Sequence, residues 1–421
     1  MKSRSILMLV LSLVFAVMFL TLGLTIVRGA EILTRVTTAS TNDRDSLYPG
    51  LSADGTKMVF ESNSDFLGQS ISTTEIWLYD TTTMTYTRIT TASASNRLSG
   101  VPSLSADGKR IAFRSNSDFL NQGIPSNQVE IWLYDLTTKT LTRVTSASGI
   151  HLLDYPSLSA DGKVIAFESD FDFLGQGVNS YEIWLYDTTA MTVTRITTAA
   201  GDGFRESRNP SLNANGTKVA FRSNNDFLGQ GIPESQFEIW LYDATTMTLT
   251  RVTTASDSTR GSAHPYLSAN GTRLAFASDS DLLDQGIPQG QYEIWLHDTT
   301  AATFTRVTTA SASNRQSAYP RLNTDGTKVV FVSDSDFLDQ GIPDDQFEVW
   351  LYDTMTMTYT RVTSGSSSNA DNYMPTISAD GTKIAFSSDA DLLEQGIPNG
   401  QFEIWLYGSS KQQIYLPLVL K

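Results

Sequence analysis

The 421-residue chain contains no cysteine. No disulfide can brace it, no thiolate can serve as a nucleophile or zinc ligand, and no thiol is available for lipid attachment. The fold must therefore be held by packing and strand pairing. Histidine is nearly absent: only His151, His264 and His297 occur, and no two stand at metal-binding spacing. A G-x-S-x-G elbow and a glycine-rich phosphate loop are also missing. Charged residues make up only 18%, and acids outnumber bases for a formal net charge of −15. A molecule of that sign repels polyanions, which excludes nucleic acid and anionic membrane surfaces as general partners.

Long apolar runs are absent except for one. Ile6 to Val27 follows Lys2 and Arg4 and precedes Gly29 and Ala30, so residues 1–30 read as an export signal. The run is long enough to span a bilayer, and Arg28 suits a small-residue cleavage site poorly, which leaves an N-terminal anchor as the alternative. Either way the rest of the chain is expected to be secreted, periplasmic or on the cell surface. It would touch the membrane only through residues 6–27 if they are retained.

What is abundant is Thr, Ser, Gly and Asp, which suits short strands and tight turns. A unit of 53 to 55 residues recurs seven times, marked by Gly55, Gly108, Gly162, Gly216, Gly271, Gly326 and Gly381. Each copy has a Pro, an A-D-G-T-like turn, a short apolar run ending in Phe, and a polar loop. E-I-W-L-Y-D follows, then a Thr-rich turn and T-R-V-T. Asp-Gly or Asn-Gly between apolar runs signals a hairpin, and runs apolar on both faces demand a sheet sandwiched between neighbours. Four-stranded units packed around an axis make a propeller. Leu33 to Thr37 matches the last strand of a unit, whereas the seventh unit stops after Trp405 and Tyr407 without one. The expected fold is thus all-β: a seven-bladed β-propeller over residues 31–408 with four antiparallel strands per blade. Its N-terminal strand closes the last blade, leaving no orphan edge. Residues 409–421 form a short apolar tail expected to dock or to act as a tag.

SADGTK, EIWLYD and TRVT in seven consecutive copies resemble the repeat of the TolB-like β-propeller family, related in architecture to WD repeats. The resemblance covers residues 32 to 408. It implies a binding role outside the cytoplasm. The additional N-terminal domain of TolB has no expected counterpart here, so its partners are not carried over, and no hydrolase domain is expected after Gly408.

Features identical in every blade read as scaffold. Trp77, Trp132, Trp184, Trp240, Trp295, Trp350 and Trp405 lie mid-strand among aliphatic residues. An Arg follows at constant spacing from Arg88 to Arg361, with Arg35 completing the set, and is expected to lie over the indole. A Glu stands two residues before each Trp. The loop motif [ND]-x-D-[FL]-L-x-Q reads mainly as a turn brace. Where both positions are acidic, as in Asp279 with Asp281, Asp334 with Asp336 and Asp389 with Asp391, Ca²⁺ is the candidate metal.

Positions that vary read as the site. Immediately before the Pro of each unit stand Tyr48, Val101, Tyr155, Asn209, His264, Tyr319 and Met374, expected at the mouth of the central channel. Four residues earlier stand Arg44, Arg97, His151, Arg205, Arg260 and Arg315, with Ala370 breaking the series. Their guanidiniums suit carboxylate, sulfate or phosphate, or alternatively a loop Asp of a neighbouring blade. The expected function is a monomeric, non-catalytic module that binds a protein or an anionic polysaccharide on the face carrying the loops between blades, without a cofactor. The alternative is a hydrolase or lyase acting on polysaccharide through paired carboxylates.

Overall fold

The computed structural model describes residues 31–39, 44–178, 180–199, 205–255, 257–310, 312, 314–364, 371–398 and 400–409. The export segment, Ala370 and the tail from residue 410 lie outside them. The unit from Leu33 to Tyr407 is a seven-bladed propeller of four-stranded antiparallel sheets. In blade 1 the strands, from the axis outwards, are Ser46–Leu51, Lys57–Ser62, Glu75–Asp80 and Thr85–Arg88. Blades 2 to 6 repeat this order. In blade 7, strands Asn372–Ile377, Lys383–Ser388 and Glu403–Ser409 are completed by Glu31–Arg35 at the outer edge.

Each Trp stands opposite the Phe that ends the apolar run, as Trp77 opposite Phe60, and both are fully buried between neighbouring blades. The Phe of the loop motif packs edge-on against the same indole, with centroids 4.9–5.0 Å apart in the five blades that have Phe there. Thus the motif seats the long loop on the core. The Asp of the motif fixes the loop itself: Asp118 accepts the amides of Gln122, Gly123 and Ile124 at 2.7–3.2 Å, and the other blades repeat the pattern.

The constant Trp–Arg spacing does set the register, for Trp240 is paired with Arg251 and the equivalent residues likewise. The guanidinium, however, does not lie over the indole. It turns to the repeated Glu, whose carboxylate is fully buried, at 2.5–3.0 Å in all seven blades. The physical reason is that an ionised carboxylate in the interior demands a counter-charge, and that requirement outweighs the roughly 0.5–2 kcal/mol of a cation–π contact. The second carboxylate oxygen accepts a Thr hydroxyl from the outer strand's end, Thr253 in blade 4. That hydroxyl in turn accepts the amide of Ile239, while Ala255 in the following linker donates its amide to the same Glu at 2.9 Å. At the seam Arg35, Thr37 and Ala39 make the same bonds to Glu403, so closure is chemically equivalent to every other blade.

The blades are also stitched to one another at the turn end of the channel. Ala53, Ala106, Ala160, Ala214, Ala269, Thr324 and Ala379 each donate an amide to the carbonyl of the next, and Ala379 returns to Ala53, at 2.8–3.2 Å. Beside this ring the hairpin glycines have positive φ, and a Cβ at Gly55 would stand 2.6 Å from Cδ of Lys383 in the adjoining blade. Only glycine serves both the turn and the approach. At the opposite end the two loop types meet: Thr73 of a long loop donates to the carbonyl of Arg97 in the next linker at 2.6 Å. The longer, more variable connections therefore share one face, as the spacing pattern requires.

Replacing Arg251 by Met is expected to strand the buried Glu238 carboxylate and to lower unfolding stability by about 3 kcal/mol. Chemical denaturation followed by Trp fluorescence measures this; an unchanged midpoint would mean that the ion pair contributes nothing.

Candidate functional site

The innermost strand of each blade begins with a register break. In blade 1 Leu47 pairs with Glu61 but Gly50 pairs with Val59, so one extra residue is inserted. The same bulge recurs in all seven blades. The residue at its apex is the one before the Pro, and each adopts left-handed backbone: Tyr48, Val101, Tyr155, Asn209, His264, Tyr319 and Met374 have φ of 46° to 54°. Proline suits the next position, because the bulge leaves no ladder bond there for an N–H to make. Left-handed backbone costs about 1–2 kcal/mol for an ordinary residue, and only Asn209 is a type that adopts it readily. Strain repeated at seven points around one axis marks a place where side-chain aim outweighs stability.

All seven apex side chains line one central cavity of about 530 Å³, together with the prolines that follow them. The expected first ring is therefore assembled as expected. Tyr48 and Tyr155 come close to each other across it, and burial pushes both phenols up. His264 and Tyr319 lie ring on ring at 4.1 Å. Burial, and then the charges of Arg222 and Arg321, push the His264 imidazole down to about 3, so it is neutral at ordinary pH. Its Nδ1 is buried without a hydrogen-bond partner.

The wall behind the apex residues is charged, and unevenly so. Carboxylates of Glu61, Asp154 and Glu168 accept the apex amides of Val101, Tyr155 and Asn209 at 2.7–2.8 Å. Burial raises all three above the usual carboxylate range. Arg114 pairs with Asp154 at 2.9 Å, and Arg208 pairs with Glu168 at 3.1 Å and Glu206 at 2.9 Å while stacking on Tyr181. On the other side Arg222 stacks on Phe237 and Arg321 on Tyr266, with no carboxylate within ion-pair distance among the described residues. Sequence reading missed these residues. The signal was present two places after the Pro, where Gly50, Ser103, Ser157, Ser211, Tyr266, Arg321 and Thr376 vary. Ser103, Ser157 and Ser211 bond the next blade's backbone, whereas Tyr266 and Arg321 line the cavity instead.

The expected second ring is not assembled. Arg44, Arg97, Arg205, Arg260 and Arg315 do not line the cavity; each donates to the backbone of the long loop in its own blade. Arg97 also reaches Ile124 at 2.8 Å, Arg205 reaches Ile232 at 2.9 Å and Arg260 reaches Ile287 at 2.9 Å. A planar fork that satisfies two loop carbonyls is a brace, and its constancy between blades follows from that. Only Arg315 and Arg260 also meet a loop Asp, Asp344 at 2.5 Å and Asp257 at 3.1 Å. His151, at the same place, contacts Asp170 at 3.2 Å.

The paired acids are likewise occupied by amides. Asp279 accepts from Gly261 and Gly290, Asp334 from Gln316 and Asp389 from Asp371, while Asp281, Asp336 and Asp391 close the long loops. Among the described residues no three acidic, His or Cys side chains converge as a metal site.

No family model matches the chain, and no curated protein matches it. Solved structures do. An oligogalacturonate lyase in complex with manganese has a TM-score of 0.58 at 15% identity, covering 91% of this chain and 95% of that one. The β-propeller domain of the Trilobed protease from Pyrococcus furiosus has a TM-score of 0.56 at 12% identity, covering 91% and 100%. TolB from Acinetobacter baumannii has a TM-score of 0.43 at 18% identity, covering 85% and 82%. The first two likenesses show the propeller fold.

The lowered His264 makes a signed prediction. Between its unfolded value near 6.5 and about 3 the unfolded chain binds more protons, so this residue's contribution to stability falls as pH is lowered through that window. The raised Glu61, Asp154 and Glu168 act in the opposite sense, so the test is a difference. His264→Asn is expected to lose less stability than the parent between pH 7 and pH 4 in denaturant titrations; parallel pH profiles would refute it.

Proposed function

We propose that the protein is a non-catalytic binding module acting outside the cytoplasm, which takes its ligand at the central channel from the face carrying the inter-blade and long loops. The observation that supports this most is the ring of seven apex residues. They hold the same strained backbone conformation, line one cavity, and are filled by five residue types. A scaffold position repeated seven times keeps one residue, as the buried Glu does. A position whose geometry is kept while its chemistry changes is one that meets something asymmetric.

The chemistry of the ring suits a polar ligand with flat or partly apolar surfaces. Tyr48, Tyr155 and Tyr319 offer faces and hydroxyls, Asn209 and His264 offer hydrogen bonds, and Val101 and Met374 offer apolar contact. The arginines in the wall give the site a preference for negative charge within an acidic protein, which favours an anionic polysaccharide of the cell envelope over an acidic protein partner. The TolB-like character of the repeats supports a binding role and a periplasmic or surface location.

Replacing Tyr48, Tyr155 and Tyr319 together by Asn removes the rings while supplying a residue that accepts left-handed backbone more readily. On an array of anionic and neutral glycans the parent is expected to retain an anionic polymer and the triple variant to bind it at least about tenfold more weakly, roughly 1.4 kcal/mol or more. Thermal stability is expected to be unchanged or higher. Equal binding by the two proteins would place the site elsewhere, and release of shortened products from the bound polymer would make the protein an enzyme.

A further inference from the structure

Among the arginines near the channel, those of blades 2 and 3's side are neutralised and two are not. Arg114 has Asp154, and Arg208 has Glu168 and Glu206. Arg321 lies deep in the wall, and the hydrogen bond its guanidinium makes is to the carbonyl of its neighbour Pro320, at 3.0 Å. Arg222 has a buried Nε without a partner and stands directly opposite Arg208, a like charge across the strand pair. Between them in the ring is His264, whose Nδ1 is also buried and unpartnered and which feels both cations. All three line the same cavity.

A desolvated cation without an acid is costly to keep, and so is a buried ring nitrogen without a partner. The four apex amides of Tyr48, His264, Tyr319 and Met374 lack the carboxylate that caps those of Val101, Tyr155 and Asn209. Positions equivalent to Glu61 and Glu168 are occupied on this side by Arg222, Ala277, Val332 and Ser387, so the acids that would neutralise the wall are the ones replaced. The same stretch of wall is thus stripped of anions and supplied with donors.

We propose that Arg222, His264 and Arg321, contributed by blades 4, 5 and 6, form an oxyanion subsite that takes a carboxylate, sulfate or phosphate group of the bound ligand. The subsite deepens the channel-binding reading and rests on it. Arg321, held flat against Tyr266, presents its edge to the cavity, and the guanidinium fork matches two oxygens of a planar or tetrahedral oxyanion. Arg222 adds the second positive charge. His264 is neutral, so it contributes a hydrogen bond rather than charge, suited to a further ligand oxygen beside the anionic group. Tyr319, stacked on that imidazole, holds it in place.

The experiment uses the full chain and three probes, inorganic sulfate, inorganic phosphate and glucuronate, with ionic strength held constant by chloride. Each is titrated by calorimetry and by thermal unfolding against the parent protein, Arg222→Gln and Arg321→Gln. The parent is expected to bind at least one probe, and each variant to bind it at least tenfold more weakly. The strongest probe identifies the oxyanion. Without ligand, Arg321→Gln is expected to melt no lower than the parent, because it loses an uncompensated buried cation; a structural brace would melt lower. Absence of binding by the parent to all three probes, undiminished binding by the variants, or a clearly lower melting temperature for ligand-free Arg321→Gln would each overturn the subsite. None of these results bears on the loss of polymer binding by the Tyr-to-Asn variant, so failure of the subsite is separable from failure of the channel reading.

Discussion

A buried carboxylate organises this propeller. The Glu that precedes each core Trp cannot remain ionised in the interior unless cationic and hydrogen-bond donors surround it, and the repeat supplies them from three places. The Arg comes from the outer strand, the Thr hydroxyl from just beyond it, and the amide from the linker that leaves the blade. Satisfying one charge therefore pins the third strand, the fourth strand and the exit of the chain in a single geometry. The exit leads directly into the next innermost strand, so the placement of each bulge around the channel depends on the carboxylate of the blade before it. Replacing such a network by apolar residues might in principle be neutral for stability, but it would surrender this control of direction.

The division between scaffold and site follows from the same economy of parts. At the outer edge every blade is alike, because all seven must solve the same problem of burying a Trp and closing against a neighbour. At the turn end the ring of backbone hydrogen bonds is nearly indifferent to side chain, which is why six of its seven members are Ala. Only at the bulge does the backbone present a side chain that neither the core nor the ring requires. There the chain keeps an unfavourable φ seven times and varies what it carries.

How far this could be seen without coordinates depended on whether a feature lived in the backbone pattern or in a choice between partners. Strand number, closure by Leu33 to Thr37 and the shared loop face were legible, since Asp-Gly turns, Pro positions and constant spacings constrain the backbone directly. The apex ring was legible because variation at equivalent positions is visible in the repeat. The destinations of the arginines were not. Spacing placed Arg251 opposite Trp240, yet could not say that it would leave the indole for Glu238. The series from Arg44 to Arg315 was read as a charged mouth, although its near-constancy was the same sign that marked Glu as scaffold. Arg222 and Arg321 went unnoticed because each sits in only one blade, where an apolar run or a Pro-containing strand conceals a single departure.

The left-handed apex has a consequence for how such a protein changes over time. Because the bulge fixes where the side chain points, and the fold is secured elsewhere, the channel behaves as a panel of seven independent addresses. Substituting one alters the recognised surface without moving the other six, and residues such as Asn, which suit the backbone better than Tyr or Val, are always within reach as stabilising intermediates. A new specificity can then be reached by single steps that each leave a folded molecule, so that recognition diversifies while the frame stands still.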